Sequence, residues 1–97
     1  MGSYACACCG YRTISLPGSG SYEICPVCNW EDDNVQNDDP DFWGGANPLS
    51  LREAQQNFLE FGASMREDLK KVRPPRPGEE RDPNWRPLEQ KNDQPDA

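Results

Sequence analysis

The chain contains no histidine, so it lacks the side chain most often used as a general acid or base near neutral pH. Long apolar runs are also missing. Hydrophobic residues make up only 34% of the 97 positions, and no stretch approaches the roughly twenty apolar residues of a membrane span. Basic charge is scarce where it would matter for nucleic acid. Residues 1 to 49 hold one base, Arg12, against seven acids, a balance of −6. Nucleic-acid binders use basic surfaces to displace counterions from phosphates, so direct binding to DNA or RNA is not expected. Residues 50 to 73 come to +1 and residues 74 to 97 to −2, which completes the −7 of the whole chain. The N-terminus has no basic region followed by an apolar run, and Cys6 stands where a myristoylation signal needs Ser or Thr. Neither secretion nor lipid anchoring is expected, and a reducing cytoplasm is the expected compartment.

Apolar residues are too few for a large core. Ten prolines and eight glycines dilute it further, and a domain of this size is marginal without a staple. The staple is written in the cysteines. Cys6 and Cys9 form one C-x-x-C pair, and Cys25 and Cys28 form a second after a gap of fifteen residues, 10 to 24. Two residues between cysteines let a tight turn aim both thiolates at one point. Four such thiolates make a tetrahedral structural site for one Zn²⁺, whose binding free energy becomes folding free energy. Gly10 and Asn29 follow the two pairs, where such turns need a positive φ. A pair of disulfides is the competing reading, disfavoured in a reducing compartment. Cys8, between two ligands, is a candidate alternate ligand or redox thiol.

The first 49 residues are expected to form a zinc-ribbon or rubredoxin-like β-hairpin with two zinc knuckles, plus an acidic aromatic loop. Residues 11–14 read as one strand, Leu16 to Ser21 as turn chemistry, and residues 22–24 as the returning strand. The loop that follows is unusual: Glu31, Asp32, Asp33, Asp38, Asp39 and Asp41 carry no base among them, yet Trp30, Phe42 and Trp43 are interleaved. A disordered acidic tail would lack those aromatics. A surface serving solubility alone would mix its signs, so this stretch is the expected partner-binding surface, its carboxylates steering in a basic protein and its aromatics supplying the buried contact. Within it, Asp39-x-Asp41-x-x-Gly44 lacks the closing glutamate of an EF-hand, with Ser50 in that place. Gly44-Gly45 has no nearby base to hold a phosphate and reads as a plain turn.

Residues 50 to 73 read as a helical segment packed on the hairpin. Ser50-Leu51-Arg52-Glu53 is a capping box, and Leu51, Ala54, Phe58 and Phe61 then recur on one helical face. Gly62 breaks the register and Ser64-Met65-Arg66-Glu67 offers a second box, so two helices are expected, near 51–61 and 65–72. From residue 74 to 97 six prolines and mixed charge predict a flexible tail, in which Trp85 and Leu88 are the sizeable apolar groups.

The motifs Cys6-x-Cys8-Cys9-Gly10-Tyr11-Arg12-Thr13, Ile24-Cys25-Pro26-Val27-Cys28-x-Trp30-Glu31-Asp32-Asp33, Gly44-Gly45-Ala46-Asn47 and Ser50-Leu51-x-Glu53-Ala54 together resemble the bacterial cysteine-rich CPCC family, from about Tyr4 to Arg73. Ala7 departs from the family pattern, which has proline there. The resemblance implies a small single domain with a zinc site and no established enzymatic activity. It also implies companionship with bacterial toxin systems. The expected protein is therefore a small α+β, non-catalytic zinc module that binds a basic partner such as a toxin domain. A rubredoxin-like iron electron carrier and a redox protein using Cys8 are the alternatives.

Overall fold

Each C-x-x-C segment first folds on itself. In the computed structural model, which describes residues 4–88, the Cys6 N–H donates to the Tyr11 carbonyl at 2.9 Å and the Gly10 N–H to the Cys6 carbonyl at 2.8 Å. Nineteen residues on, the same two bonds recur at the same offsets: Cys25 N–H to the Trp30 carbonyl at 2.9 Å and Asn29 N–H to the Cys25 carbonyl at 2.7 Å. Gly10 (φ 81°) and Asn29 (φ 72°) turn the chain in the left-handed region, which glycine and asparagine enter most cheaply.

The strands grow outward from these turns. Strand β1 (Tyr4–Ala5) pairs antiparallel with β2 (Arg12–Ile14). Beyond the second turn Ile24 bridges Glu31, and Tyr22 and Asp32 donate to the carbonyls of Asp32 and Glu23 at 3.0 and 2.9 Å. The expected hairpin, residues 11–14 against 22–24, is therefore corrected: each stretch pairs with the far side of its own turn. Once a C-x-x-C turn has closed, its flanks are already adjacent, and the shorter closure costs less chain entropy. Tyr4 faces Ile14 while Ala5 faces Arg12, leaving Thr13 as an extra residue in β2. Such a bulge re-aims a side chain, and here the Thr13 hydroxyl lies 2.9 Å from the Cys25 sulfur.

Residues 31 to 50 form a lobe with a polar interior. Asp33 caps the short helix α1 (Asn34–Asp38), accepting from the N–H groups of Val35 and Gln36. Its other oxygen accepts from the Ala46 N–H at 2.9 Å. A Cβ on Gly45 would stand 2.7 Å from that oxygen, so the glycine turn admits a carboxylate of its own chain. Gln36 is completely buried. Its Nε2 donates to the carbonyls of Phe42, Asn47 and Leu49 at 3.0–3.1 Å, and its Oε1 accepts from the Asn47 backbone and side chain at 3.0 and 2.9 Å. Asn47 in turn spans the backbone N–H and carbonyl of Glu31, both at 2.9 Å. Replacing Gln36 with alanine strands several buried groups, each costing about 1–3 kcal/mol unless the site collapses. The expected result is a melting temperature lower by about 10 °C with metal content unchanged, checked by thermal denaturation beside metal analysis.

The helical segment follows the expected plan with one change. Helix α2 (Leu51–Phe61) has its capping box in place and ends at Gly62, φ 96°. A 3₁₀ helix, Arg66–Lys71, stands where the second helix was expected. Its start has no side-chain cap, so the Ser64–Glu67 box does not form. The Ser64 N–H is instead committed to the Cys28 carbonyl at 2.8 Å, which ties this segment to the second cysteine turn.

The flexible tail expected from residue 74 is corrected for residues 74–88. Arg12 N–H donates to the Glu80 carbonyl at 3.2 Å and Asp82 N–H to the Gly10 carbonyl at 2.9 Å, so this stretch runs along the open edge of β2. Arg73 holds Glu79 through two bonds of 2.8 and 2.9 Å. That guanidinium, with the Arg76 N–H, draws the Glu79 carboxyl down to about 2. The pair therefore contributes above the ordinary carboxylate range and is lost as pH falls through about 2. Trp85 lies flat on Gly10, where a Cβ would meet its ring at 2.5 Å, and the Leu88 N–H donates to Gln55 Oε1 at 2.7 Å. Trp85, the large aromatic of this proline-rich stretch, thus fits a glycine face. Residues 89–97, the rest of the expected tail, lie outside the described residues.

Candidate metal centre

Half of the residues in the buried apolar core are cysteines. Cys6, Cys8, Cys9, Cys25 and Cys28 pack with Ile14, Val27, Trp30, Leu51 and Ala54, and all five cysteines are buried and free. The sulfurs of Cys6, Cys9, Cys25 and Cys28 all lie within 4.8 Å of one another. Cys6 to Cys28 is 3.6 Å and Cys9 to Cys25 is 3.7 Å. Four thiolates at about 2.3 Å from one ion, arranged tetrahedrally, stand about 3.8 Å apart. The residues therefore fit a four-coordinate metal ion, and each of the two turns contributes two of the clustered sulfurs. The Cys8 sulfur is outside this group.

Electrostatics call for the cation. Four clustered sulfurs cannot all hold charge unaided. Hydrogen bonds from Cys28, Cys6 and Cys9, with Thr13, pull the Cys25 thiol far below its ordinary range. Bonding to Cys25 holds Cys6 and Cys9 far above theirs, and burial does the same to Cys28. A divalent ion at the centre relieves that conflict by favouring thiolate at every position. The backbone helps: Val27 N–H and Trp30 N–H point at the sulfurs of Cys25 and Cys28, each at 3.4 Å.

Three side chains outside the expected site residues support the first turn. Gln55 Nε2 and Trp85 Nε1 both donate to the Ala7 carbonyl, at 2.8 and 3.1 Å. Arg81 donates to the Cys9 carbonyl at 3.1 Å and stacks over the rings of Tyr11 and Trp85 at 4.6 and 5.1 Å. Trp85 was the available signal, a lone large aromatic in a polar stretch.

The residues expected to bind a partner divide into two groups. Trp30 is fully buried against the cysteines, its Nε1 donating to Asn37 Oδ1 at 3.0 Å. Asp32 is buried too, accepting from the Ser21 N–H and hydroxyl at 3.1 and 2.7 Å and from Asn37 Nδ2 at 2.8 Å. With Asp33 engaged as the cap of α1, these three belong to the interior, which corrects their expected place on the partner-binding surface. Glu31 is half-buried, while Asp38, Asp39 and Asp41 are exposed. Asp41 pairs with Arg52 at 2.8 Å. Phe42 and Trp43 are 42% and 72% exposed. Among the described residues no group of acids gathers as the four cysteines do, and no helix is long and apolar enough to cross a membrane.

The fold and site define a small α+β domain, a two-stranded hairpin with helices, built around four cysteines that can hold a metal ion. The chain belongs to the cysteine-rich CPCC family, whose pattern matches residues 4–79. No curated protein matches the chain.

Proposed function

We propose that the protein is a non-catalytic module, stabilised by one zinc ion in a two-knuckle, zinc-ribbon-like site, that binds a basic protein partner. Enclosure of all four sulfurs supports a closed structural ion over an open catalytic one. One zinc per chain in colourless protein is the expected assay; a red protein holding one iron would overturn the metal assignment. With no histidine, and with Asp32 and Asp33 bonded internally, acid–base chemistry has few groups to use.

The observation that carries the partner reading is Trp43, 72% exposed in the same short arc of chain as Asp38, Asp39 and Phe42. Exposed aromatics beside one sign of charge suit a protein interface, the charges steering encounter and the ring holding the complex. A basic toxin domain, neutralised in an immunity-type role in the bacterial cytoplasm, is the partner this surface suits. The test measures association with such a domain over a salt series. Asn at Asp38 and Asp39 should slow the on-rate severalfold and flatten its salt dependence. Trp43→Ala should speed dissociation by about tenfold or more. Unchanged kinetics in both variants would remove this arc from the interface.

A further inference from the structure

A cleft of about 180 Å³ opens between the second cysteine turn, the 46–49 loop and the 3₁₀ helix. Three groups on its wall have unmet bonding capacity. The Asp68 side chain is only 6% exposed, yet among the described residues its carboxylate has a single partner, Lys71 Nζ, 3.5 Å from Oδ1 and itself on a side chain 66% exposed. Ser64, also on the wall, is buried at 3% exposure. Its hydroxyl has no hydrogen-bond partner among the described residues, and neither has the carboxylate of half-buried Glu31. Folded proteins seldom leave a buried carboxylate and a buried hydroxyl short of partners, so this wall has capacity for a further hydrogen-bond donor.

We propose that this cleft receives the guanidinium group of an arginine on the protein's basic partner. The source of the arginine rests on the partner-binding reading above; the chemistry of the cleft does not. Two carboxylates against one lysine exclude an anion. A planar guanidinium offers five donors in a fixed fork, suited to a wall that carries the Asp68 and Glu31 carboxylates and the Ser64 hydroxyl. Lys71 is the chain's own substitute cation: mostly exposed on a flexible stem, it can leave Asp68 when a better-fitting donor arrives.

The experiment titrates the metal-loaded full chain with N-acetyl-arginine methylamide and follows backbone amide shifts. Saturable shifts at Ser64 and Asp68 are expected, with affinity on the order of millimolar for so small a ligand. The citrulline analogue, similar in shape but uncharged, should leave them unmoved. Asp68→Asn should weaken binding by about tenfold or more, the loss of a charged hydrogen bond. Because that variant could also disturb the fold, Lys71→Ala supplies a change of opposite sign: removing the competing exposed cation should tighten binding by about threefold. An equal response to citrulline, no saturable shift, or a Lys71→Ala variant that binds no tighter would overturn the proposal. Absent arginine binding, with the Asp38 and Asp39 salt effects intact, would sink the cleft and spare the partner surface. Arginine binding with unaltered loop kinetics would do the reverse.

Discussion

Serine in place of Cys25 is expected to abolish metal binding and cooperative folding together. The cluster of sulfurs is the centre of the core, and apolar side chains are too few to replace it. Binding of a structural zinc ion is worth about 10–16 kcal/mol in small domains, against a typical net stability of about 5–15 kcal/mol. The ligand loss is therefore comparable to everything that holds the chain folded. Cys25 is also the sulfur toward which Thr13 and the Val27 N–H point, so its replacement disturbs both turns. Serine at Cys8 should behave differently. That residue is buried but outside the ligand group, and a hydroxyl placed there costs about 1–3 kcal/mol while leaving four ligands in place. Metal per chain and thermal melts of the two variants check this. A Cys8→Ser protein that loses its metal, with Cys9→Ser retaining it, would show that the ligand set includes the wrong member of the doublet. Acid should reproduce the Cys25 effect in the unaltered protein, because protons compete with the ion for sulfur.

Ending the chain after Arg73 is expected to lower the melting temperature by at least about 12 °C, equivalent to about 3 kcal/mol in a domain of this size. Three interactions disappear at once. Arg73 loses Glu79, the open edge of β2 loses its pairing with residues 80–82, and the first cysteine turn loses the Arg81 and Trp85 cover. Part of the loss is returned as chain entropy of the deleted residues, so the figure stays below the sum of those contacts. Metal content should remain near one per chain, while a chelator should strip it faster. A truncated protein that melts with the full chain would mean that residues 74–88 contribute nothing to stability.

What could be read in advance was local. The C-x-x-C spacing, the positive φ at Gly10 and Asn29, the Ser50–Glu53 box and the stop at Gly62 each depend on a few neighbouring residues, and each stands in the structure. What could not be read depends on distant choices. Residues 11–14 have the composition of a strand, but composition does not say whether the partner is 22–24 or 4–5. Gln36 and Asn47 read as ordinary loop residues because nothing in a polar stretch announces that two amides will satisfy six backbone groups and so become interior. Asp32 and Asp33 look like a charge run until their acceptors are counted against Ser21, Asn37, Val35 and Ala46. The Ser64 box failed for a related reason: the Cys28 carbonyl claimed its N–H first.

The cover over the first cysteine turn also has a consequence for how the protein is made. Residues 6–28, which hold all four clustered cysteines, leave the ribosome about fifty residues ahead of Arg81 and Trp85. At typical synthesis rates that interval lasts roughly 3–10 seconds. During it the nascent chain presents its thiolates with the Ala7 and Cys9 carbonyls still open to water, so an ion can enter before Arg81 and Trp85 close over them. An ion that binds in this interval meets the first cysteine turn before the segment carrying Arg81 and Trp85 covers it.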